Sequence, residues 1–464
     1  MPIETSGAGI IEFLASVPEG DSLRKTLKVY PRLPTTTVSI YGSTIADSVK
    51  IPTVMDVGSL TVISSPTVIG GVDGVFEYMR DYPYACWEQK LSQGTMASHY
   101  TQLQDYLGLK WEGSDTLPDD ILRLAKEYQA PNGGMAYFIA KNDHVSPYLS
   151  AYTALAFNWL REGGKTIPNL VEKKLHDYLL NLLRKNVLPD FYSKGMASSV
   201  RAVALSALAK QGKITIDDIH RYKIHLGEMD LFGKSQFLAA ASEIPGTEAI
   251  RSDVVDMIMA HATQTSGKIS FVEDLDEGYK HLLSSSLRTQ CSILSSFNGI
   301  MEDIPFKLVR TIRQNLSSRW VNTQENMFCM TALIEYARIY EKTKPVMMVK
   351  TWVDSEKIGE TSFNDVRNPP VSVSHALSEK STVKLEREGR GRLYYTVRMA
   401  YSDKNEDAVD AGIEVSREYH VKRDGKWVLL NNPIEIKQGE LVRVDLYVSV
   451  TAPRYFVVLN DPIP

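Results

Sequence analysis

The chain has 464 residues, of which 43% are hydrophobic and 23% are charged, and its formal net charge is −4. Its length and composition indicate a globular protein of about two to four domains with ample material for hydrophobic cores. Lys and Arg (52) nearly balance Asp and Glu (56), so nothing indicates binding to nucleic acid or to an anionic membrane. No apolar run approaches the roughly 18 residues of a transmembrane helix, and the N-terminus lacks the pattern of a signal peptide.

Residues 1–65 are predicted to form β-strands. Short β-branched stretches such as TTVSIYG and SLTVISS are separated by Pro, Gly or Ser. Along SLTVI, Leu60 and Val62 share one face and Thr61 and Ile63 share the other, as expected of a strand.

From about residue 66 to 345 the hydrophobic period becomes that of helices. In EKKLHDYLLNLLRK, Leu175, Leu179 and Leu182 fall at i, i+4 and i+7 on one face. Ala/Leu-rich runs with polar starts recur about every 35–55 residues, which suits one helical hairpin per repeat. About five or six hairpins could close into an α/α toroid, and the repeat pattern leaves an open solenoid as the alternative.

Beyond about residue 346 the alternation of strands returns. In GRLYYTVRMAY, Leu393, Tyr395 and Val397 lie on one face and alternate with Tyr394 and Thr396. Strands on both sides of a helical block predict that the two β segments pair and that the helical domain is inserted between them. The chain is expected to be cut from a longer protein, because its last strand, within RYFVVLNDPIP, would leave a β-sandwich unfinished.

The three cysteines are Cys86, Cys291 and Cys329. An odd and low count argues against a disulfide framework. Cys291 and Cys329 fall in helix-like apolar stretches, so they are predicted to be small buried hydrophobic residues. Cys86 differs, because its neighbours in DYPYACWEQKLS are turn-like and aromatic.

Cys86 and Gln89 have a spacing that could form an internal thioester. A thiolate attacks a carboxamide only when the two groups are held together, and proximity can lower such a barrier by roughly 7–11 kcal/mol. At a loop-to-helix entry, the helix N-terminus would stabilise both the thiolate and the developing oxyanion. The product survives only where water is excluded, and Tyr82, Tyr84 and Trp87 are the local candidates for a shield.

The stretch YPYACWEQ resembles the YPYGC-x-EQ thioester motif of the bacterial α2-macroglobulin family. The resemblance covers nearly the whole chain in order, through APNGGMAYF, RWVNTQENMFCMTALIEYA and VSREYHVKRDGKWVLL. The chain departs from the motif at Ala85, where the family has Gly, and at Trp87, where Leu or Thr is common. A turn that needs a positive φ would strain Ala85 and put closure of the thioester in doubt.

The resemblance also implies the fold and the domain boundaries. It implies a multidomain α and β chain with an α/α toroid, the thioester domain, inserted in a CUB-like β domain and followed by part of a macroglobulin-like β-sandwich. The CUB-like domain would comprise residues 1–65, with any tail of a preceding domain, and residues 346–390. The thioester domain would span residues 66–345, and the incomplete C-terminal sandwich would span residues 391–464.

The family's function implies an endopeptidase inhibitor and not an enzyme. Cys86 and Gln89 match its thioester pair, which acylates a nucleophile of a trapped protease, commonly a lysine amine, after bait cleavage and a change of shape. The implied partners are target proteases, other domains of the full-length chain and envelope proteins, with a periplasmic or cell-envelope location and a role in bacterial defence and virulence. The resemblance implies no cofactor and no metal. No bait region is recognisable, so this segment is expected to form and discharge a thioester without trapping a protease alone.

Two other classes of function remain open. One is a binding or structural module of the same architecture in which no thioester forms. The other is an α/α-toroid lyase or cyclase, for which the acidic stretch FVEDLDEGYK, residues 271–280, is the candidate site. His99 and His144 are candidates for relaying the acyl group, but an ordinary surface or supporting role is favoured for each. Nothing in the spacing supports a Cys86–His99 peptidase dyad.

Overall fold

The structure is a computed structural model that describes residues 9–16, 22–29, 36–54, 58–142, 144–185, 188–265, 268–301, 303–316, 322–377, 380–401, 413–430, 434–450, 459 and 461. The chain divides into two compact units. One unit comprises Thr37–Met399, and the other comprises Met1–Thr36 with Ala400–Pro464.

The described strands are β1 (Gly9–Ser16), β2 (Ser22–Val29), β3 (Thr36–Thr44), β4 (Ser48–Pro52), β5 (Gly58–Ser65), β6 (Ala262–Thr265), β7 (Lys268–Phe271), β8 (Val346–Val353), β9 (Glu356–Phe363), β10 (Val371–Leu377), β11 (Thr382–Arg390), β12 (Leu393–Tyr401), β13 (Ile413–Arg423), β14 (Lys426–Leu429) and β15 (Val442–Val450). The described α-helices are α1 (Asp73–Arg80), α2 (Trp87–Leu103), α3 (Leu117–Tyr128), α4 (Pro147–Glu162), α5 (Asn169–Lys185), α6 (Lys194–Ala209), α7 (Ile216–Lys223), α8 (Leu231–Ser242), α9 (Glu248–Met259), α10 (Ser286–Phe297), α11 (Ile304–Gln314) and α12 (Thr323–Tyr340). None of these helices has the length and apolar character needed to cross a bilayer.

Two four-stranded sheets of the larger unit combine strands from both sides of the helical block. Their strand orders are β10-β5-β12-β3 and β4-β11-β8-β9. In the first sheet Leu60 of β5 lies opposite His375 of β10, and in the second Ile51 of β4 lies opposite Val383 of β11. The helices are therefore inserted into one β domain, which confirms the predicted insertion.

The strand β12 extends this β domain beyond the predicted boundary at residue 390. It lies between β5 and β3, and the compact unit continues to Met399. The buried side chains of Leu393, Val397 and Met399 give β12 the alternation that was read from its sequence. The domain boundaries predicted from the sequence place residues 391–464 in the C-terminal sandwich, because alternation identifies a strand but not the sheet that it joins.

The even-numbered helices form a closed ring. Helix α2 contacts α4, and contacts continue from α4 to α6, α8, α10 and α12, which packs back against α2. Odd-numbered helices lie outside this ring, with α3 against α2, α5 against α4 and α6, and α11 against α10 and α12. The contact between α12 and α2 closes the toroid, so the predicted toroid is confirmed and the open solenoid is excluded.

The ring helices and the outer helices differ in their burial. Residues 147–160 of α4 are all buried, and many are Ala, Ser or Thr, whose small side chains permit close packing. The outer helix α5 buries only one face, which includes the predicted Leu175, Leu179 and Leu182. The ring helix α4 is surrounded by other helices and is therefore buried on all sides. The outer helix α5 faces water on one side and therefore buries only the other.

Several ring helices begin at the same end of the toroid. Glu88, in the first turn of α2, accepts hydrogen bonds from Thr323 and Gln324, the first two residues of α12. Tyr148, at the start of α4, donates to Gln324 Oε1 and accepts from Arg288 Nη1 in the first turn of α10. The N-termini of α2, α4, α10 and α12 therefore meet, and Cys86 lies at this end.

A buried disulfide joins two neighbouring ring helices. Cys291 of α10 and Cys329 of α12 are bonded, with their Cα atoms 4.8 Å apart. The prediction that both residues are unpaired hydrophobic side chains is wrong. Helical periodicity placed each residue on a buried face, but it did not show that the two faces meet.

The smaller unit contains two antiparallel β elements. The β1–β2 hairpin pairs Gly9 with Val29, and the other sheet has the order β14-β13-β15. In that sheet Val415 of β13 lies opposite Val448 of β15. The predicted strand within RYFVVLNDPIP lies outside the described residues.

Candidate functional site

Cys86 is the N-cap residue of α2, with extended backbone angles of φ −69° and ψ 169°. The backbone N–H of Trp87 donates to the carbonyl of Tyr137 at 2.8 Å, which ties the helix start to the segment before α4. In the second turn of α2, Gln93 Nε2 donates to the carbonyl of Met79 at 3.0 Å and so holds the end of α1. The loop that carries Cys86 is therefore fixed from both sides.

Cys86 and Gln89 form a reciprocal capping box. The backbone N–H of Gln89 donates to the Cys86 side chain, and the backbone N–H of Cys86 donates to Gln89 Oε1 at 3.0 Å. The i, i+3 spacing allows this exchange, because the first turn of a helix leaves its N–H groups without partners inside the helix. The two hydrogen bonds bring the thiol and the carboxamide, the two groups of the predicted thioester, to the same turn.

The surroundings of Cys86 and Gln89 disfavour negative charge on the thiol but favour it on the carbonyl oxygen. Partial burial raises the pKa of the Cys86 thiol, although the N–H groups of Gln89 and Glu88 partly offset this effect. The carbonyl oxygen of Gln89 accepts a hydrogen bond at a helix N-terminus, where negative charge is stabilised. This donor and the helix N-terminus therefore favour negative charge at Gln89 Oε1.

Ala85 adopts the loop without a left-handed backbone. The described non-glycine residues with positive φ are Leu283, Asp354 and Asp424, and Ala85 is not among them. The strain that the change from Gly to Ala would have caused is therefore absent from this turn.

Tyr82 and Tyr84 lie in the loop just before Cys86. Their ring centroids are 5.7 Å apart in an edge-on arrangement, and Tyr78 lies on the other side of Tyr82 with its centroid 5.1 Å away. Burial raises the pKa of Tyr82 to about 12, with a smaller contribution from Cys86 among other neighbours. Tyr84 is 67% exposed. The two tyrosines thus differ, since Tyr82 is partly buried close to the thiol and Tyr84 faces solvent.

Trp87 belongs to the core of the toroid. Its side chain is fully buried, its Nε1 donates to Thr153 Oγ1 at 2.9 Å, and its ring stacks on Tyr128 at a centroid distance of 5.1 Å. The large side chain that departs from the family motif therefore fixes α2 against α3 and α4. Burial raises the pKa of Tyr128, with smaller contributions from Glu127 and from the nearby Cys86, a proximity that the sequence did not indicate.

Glu88 is a buried carboxylate that lies between Cys86 and Gln89 in the sequence. It accepts hydrogen bonds from Ser92 Oγ at 2.9 Å, Thr323 Oγ1 at 2.9 Å and Gln324 Nε2 at 2.7 Å, and burial raises its pKa. Sequence reasoning missed this residue, because an acidic residue in a first helical turn is usually exposed and interacts with the helix dipole. The one local indication in the sequence is the i, i+4 spacing between Glu88 and Ser92, which places Ser92 within hydrogen-bonding reach of the Glu88 carboxylate.

The structure does not bring His99 close to Cys86 and Gln89, the predicted thioester pair. His99 lies 13 residues after Cys86 on the same helix, which corresponds to about 20 Å along the axis. It is buried against Thr331 Oγ1 at 3.3 Å, and burial lowers its pKa to about 4. His144 is exposed in the loop before α4. His99 is therefore a core histidine and cannot form a dyad with Cys86.

Acidic residues between 271 and 280 are engaged with backbone at helix starts. Glu273 Oε2 accepts from the backbone N–H of Leu231 at 2.7 Å, and Asp276 Oδ1 accepts from that of Gly278 at 2.7 Å. Burial, with Asp230 nearby, raises the pKa of Glu273 to about 7. Within the described parts of the chain, no group of three or more His, Cys, Asp or Glu side chains is arranged to hold a metal ion.

Comparisons with known proteins find similarity to bacterial alpha-2-macroglobulins. Residues 412–464 match the model of the bacterial alpha-2-macroglobulin MG10 domain. An alpha-2-macroglobulin homolog of Nostoc sp. is 22% identical over 500 residues, which cover 100% of this chain and 25% of that protein. The chain therefore spans about a quarter of the length of this relative.

Solved structures of bacterial relatives share the fold. Native Escherichia coli alpha-2-macroglobulin, solved from domain MG7 to the C-terminus, is 19% identical with a TM-score of 0.56, covering 96% of this chain and 70% of that one. Salmonella alpha-2-macroglobulin reacted with methylamine is also 19% identical, with a TM-score of 0.55 and coverage of 97% and 29%. Together with the matches in sequence, this shared fold makes the chain similar to the C-terminal part of bacterial alpha-2-macroglobulins.

Proposed function

We propose that Cys86 and Gln89 close an internal thioester, and that the chain is the thioester-bearing part of a protease-trapping inhibitor. The observation that carries the proposal is the capping box, in which Cys86 N–H donates to Gln89 Oε1 and Gln89 N–H donates to the Cys86 side chain. It gathers nucleophile, acyl group and oxyanion donor in one helical turn.

The closure reaction follows from these positions. Cys86 Sγ attacks Gln89 Cδ, and the charge that develops on Oε1 is stabilised by the Cys86 N–H. The Sγ–Cδ bond forms, the Cδ–Nε2 bond breaks, and the thiol proton leaves with the amide nitrogen as ammonia. The product is an acyl group stored at the end of the toroid where the N-termini of α2, α4, α10 and α12 meet.

An amine is the natural acceptor of this acyl group. Attack of a lysine amine on Cδ would form an amide at Gln89 and release the Cys86 thiol. A hydroxyl would need an activating base, and His99 is too far along α2 to supply one. We therefore propose that a lysine of a trapped protease is acylated, after bait cleavage in the full-length protein.

The disulfide between Cys291 and Cys329 supports a location in the periplasm or cell envelope. Disulfides persist in oxidising compartments and are rare in the cytosol. In that location, envelope partners and other domains of the longer chain would work with this segment in defence against foreign proteases and in virulence.

Intact mass and thiol content test the thioester. A closed thioester makes the chain lighter by one ammonia and leaves no titratable thiol, because the other two cysteines form the disulfide. Methylamine, with which the Salmonella relative was reacted, should add at Gln89 and release one thiol per chain. Cys86→Ala is the matched control and should show neither change.

Each alternative predicts a different outcome of this experiment. A non-covalent module would show the full unmodified mass and one thiol before amine is added, and that result would refute the proposal. A lyase or cyclase would show turnover that survives Cys86→Ala. The shield is tested separately, because loss of the partly buried Tyr82 should speed hydrolysis of the thioester more than loss of the exposed Tyr84.

A further inference from the structure

We infer that the buried network Glu88–Gln324–Tyr148–Arg288 is a positioning device for the reactive pair, which holds the first turn of α2 in the orientation that closure requires. The inference rests on the proposed thioester. It assigns a role in that reaction to Glu88 and to three residues on other ring helices, none of which contributes an atom to the bond.

Glu88 is placed to set the orientation of both reactive side chains. It lies between Cys86 and Gln89 in the first turn of α2, but its own side chain is buried and bonded towards α12. Thr323 Oγ1 lies 2.9 Å from Glu88 Oε1 and 3.1 Å from Oε2, so both carboxylate oxygens are engaged. A turn fixed in this way cannot rotate without breaking buried hydrogen bonds.

The network continues through the ring with a consistent direction of donation. Gln324 Nε2 donates to Glu88, while Gln324 Oε1 accepts from Tyr148 OH at 2.7 Å. Tyr148 OH in turn accepts from Arg288 Nη1 at 2.7 Å. A buried cation thus stands at one end of a chain of hydrogen bonds and a buried carboxylate at the other, an order that polarises each bond in the chain.

Stability alone does not account for this arrangement. Arg288 is fully buried, its Nε and Nη2 have no hydrogen-bond partner among the described atoms, and its guanidinium lies 3.9 Å from the centroid of the Phe232 ring. Buried ion pairs are often replaced by apolar residues without loss of stability. One use of such costly groups is to fix a register, and here the network sets the register of α2 against α4, α10 and α12.

The chemistry explains why this register matters. A reaction between two held groups depends steeply on their alignment, and a misplacement of about 1 Å can cost about 100-fold in rate. The capping box brings the two side chains of Cys86 and Gln89 together, but both hydrogen bonds move with the turn itself. Contacts to other parts of the chain are needed to fix that turn, and the network supplies those from α12, α4 and α10.

Ammonia provides a direct assay of closure. Ammonolysis of the thioester regenerates the Cys86 thiol and the Gln89 carboxamide, which is the precursor of closure. After ammonia is removed, the disappearance of the thiol and the loss of ammonia from the intact mass report the rate of reclosure. The variants are Glu88→Ala, Glu88→Gln and Gln324→Leu.

Glu335→Gln is the matched control. Glu335 lies on α12, burial also raises its pKa, and it accepts from Ser295 Oγ, but it belongs to the opposite end of that helix from Thr323 and Gln324. The midpoint of thermal unfolding is measured for each of the four variants. Reclosure is measured well below that midpoint, where each variant is folded.

The expected result separates positioning from stability. Glu88→Ala and Gln324→Leu should slow reclosure by about 10- to 100-fold, whereas Glu335→Gln should leave the rate within about twofold of the original. Glu88→Gln keeps an acceptor oxygen in the same place and should recover most of the rate. Equal reclosure of Glu88→Ala and the unaltered chain would overturn the inference while leaving the thioester intact. An unaltered chain that never loses ammonia would overturn both.

Discussion

Removal of the Cys291–Cys329 disulfide should destabilise the toroid by an amount that follows from the chain length it encloses. The two residues are 38 positions apart in sequence. In the loop-entropy description, a cross-link of this separation lowers the entropy of the unfolded chain by an amount equivalent to about 4 kcal/mol at 25 °C. The double variant Cys291→Ala/Cys329→Ala should therefore lose about 4 kcal/mol of unfolding free energy.

Urea unfolding, followed by circular dichroism at 222 nm where helices dominate the signal, measures this loss. The unaltered chain in excess reductant is the control, since it breaks the same bond and keeps both sulfur atoms in the core. Both samples should unfold at lower urea than the oxidised chain, and the denatured unreduced chain should lack free thiols at positions 291 and 329. A loss below about 1 kcal/mol in both samples would refute the reasoning, because it would mean that the cross-link does not restrict the unfolded chain.

Three further predictions concern the site and its surroundings. Trp87→Phe removes the donor to Thr153 Oγ1 and part of a fully buried ring, so it should cost about 2 kcal/mol in urea unfolding, and unchanged stability would contradict its place in the core. Burial raises the pKa of Glu273 to about 7, so folding favours its protonated form. The variant Glu273→Gln should therefore be as stable as the original chain below about pH 4 and more stable than it as the pH rises to 7. The same difference in unfolding free energy between the two chains at every pH in this range would exclude that effect. Ala85→Gly should lower stability by about 0.5–1 kcal/mol without raising the thioester fraction in intact mass, since Ala85 does not have a positive φ; a higher fraction would show that the turn is strained.

The helical period and the strand alternation were sufficient to predict most of the fold. The buried face of α5, with Leu175, Leu179 and Leu182, is the one that the i, i+4, i+7 spacing identified. Closure of the ring could not be predicted in the same way, because an inner helix of a solenoid and one of a toroid are both surrounded by neighbours. The contact between α12 and α2, which decides between them, joins elements more than 200 residues apart in sequence.

The candidate site was predictable where its geometry is local. Cys86 and Gln89 meet because an i, i+3 spacing at a helix start produces a capping box, and this depends only on neighbouring residues. Glu88 was not predictable, because its burial depends on the distant Thr323 and Gln324. Trp87 sits among turn residues in the sequence, and only the position of α3 and α4 places it in the core.

The toroid can hold the predicted thioester pair in place more firmly than a single helix could. An isolated helix start supplies N–H donors and a favourable dipole, but it frays, and fraying would separate Cys86 Sγ from Gln89 Cδ. In the ring, the first turn of α2 is held by Glu88 to α12 and by the Trp87 N–H to the segment before α4. The disulfide then joins α12 to α10 a few residues further along. Two constraints therefore act on this turn, one from α12 and one from the segment before α4, and the disulfide fixes α12 itself to α10.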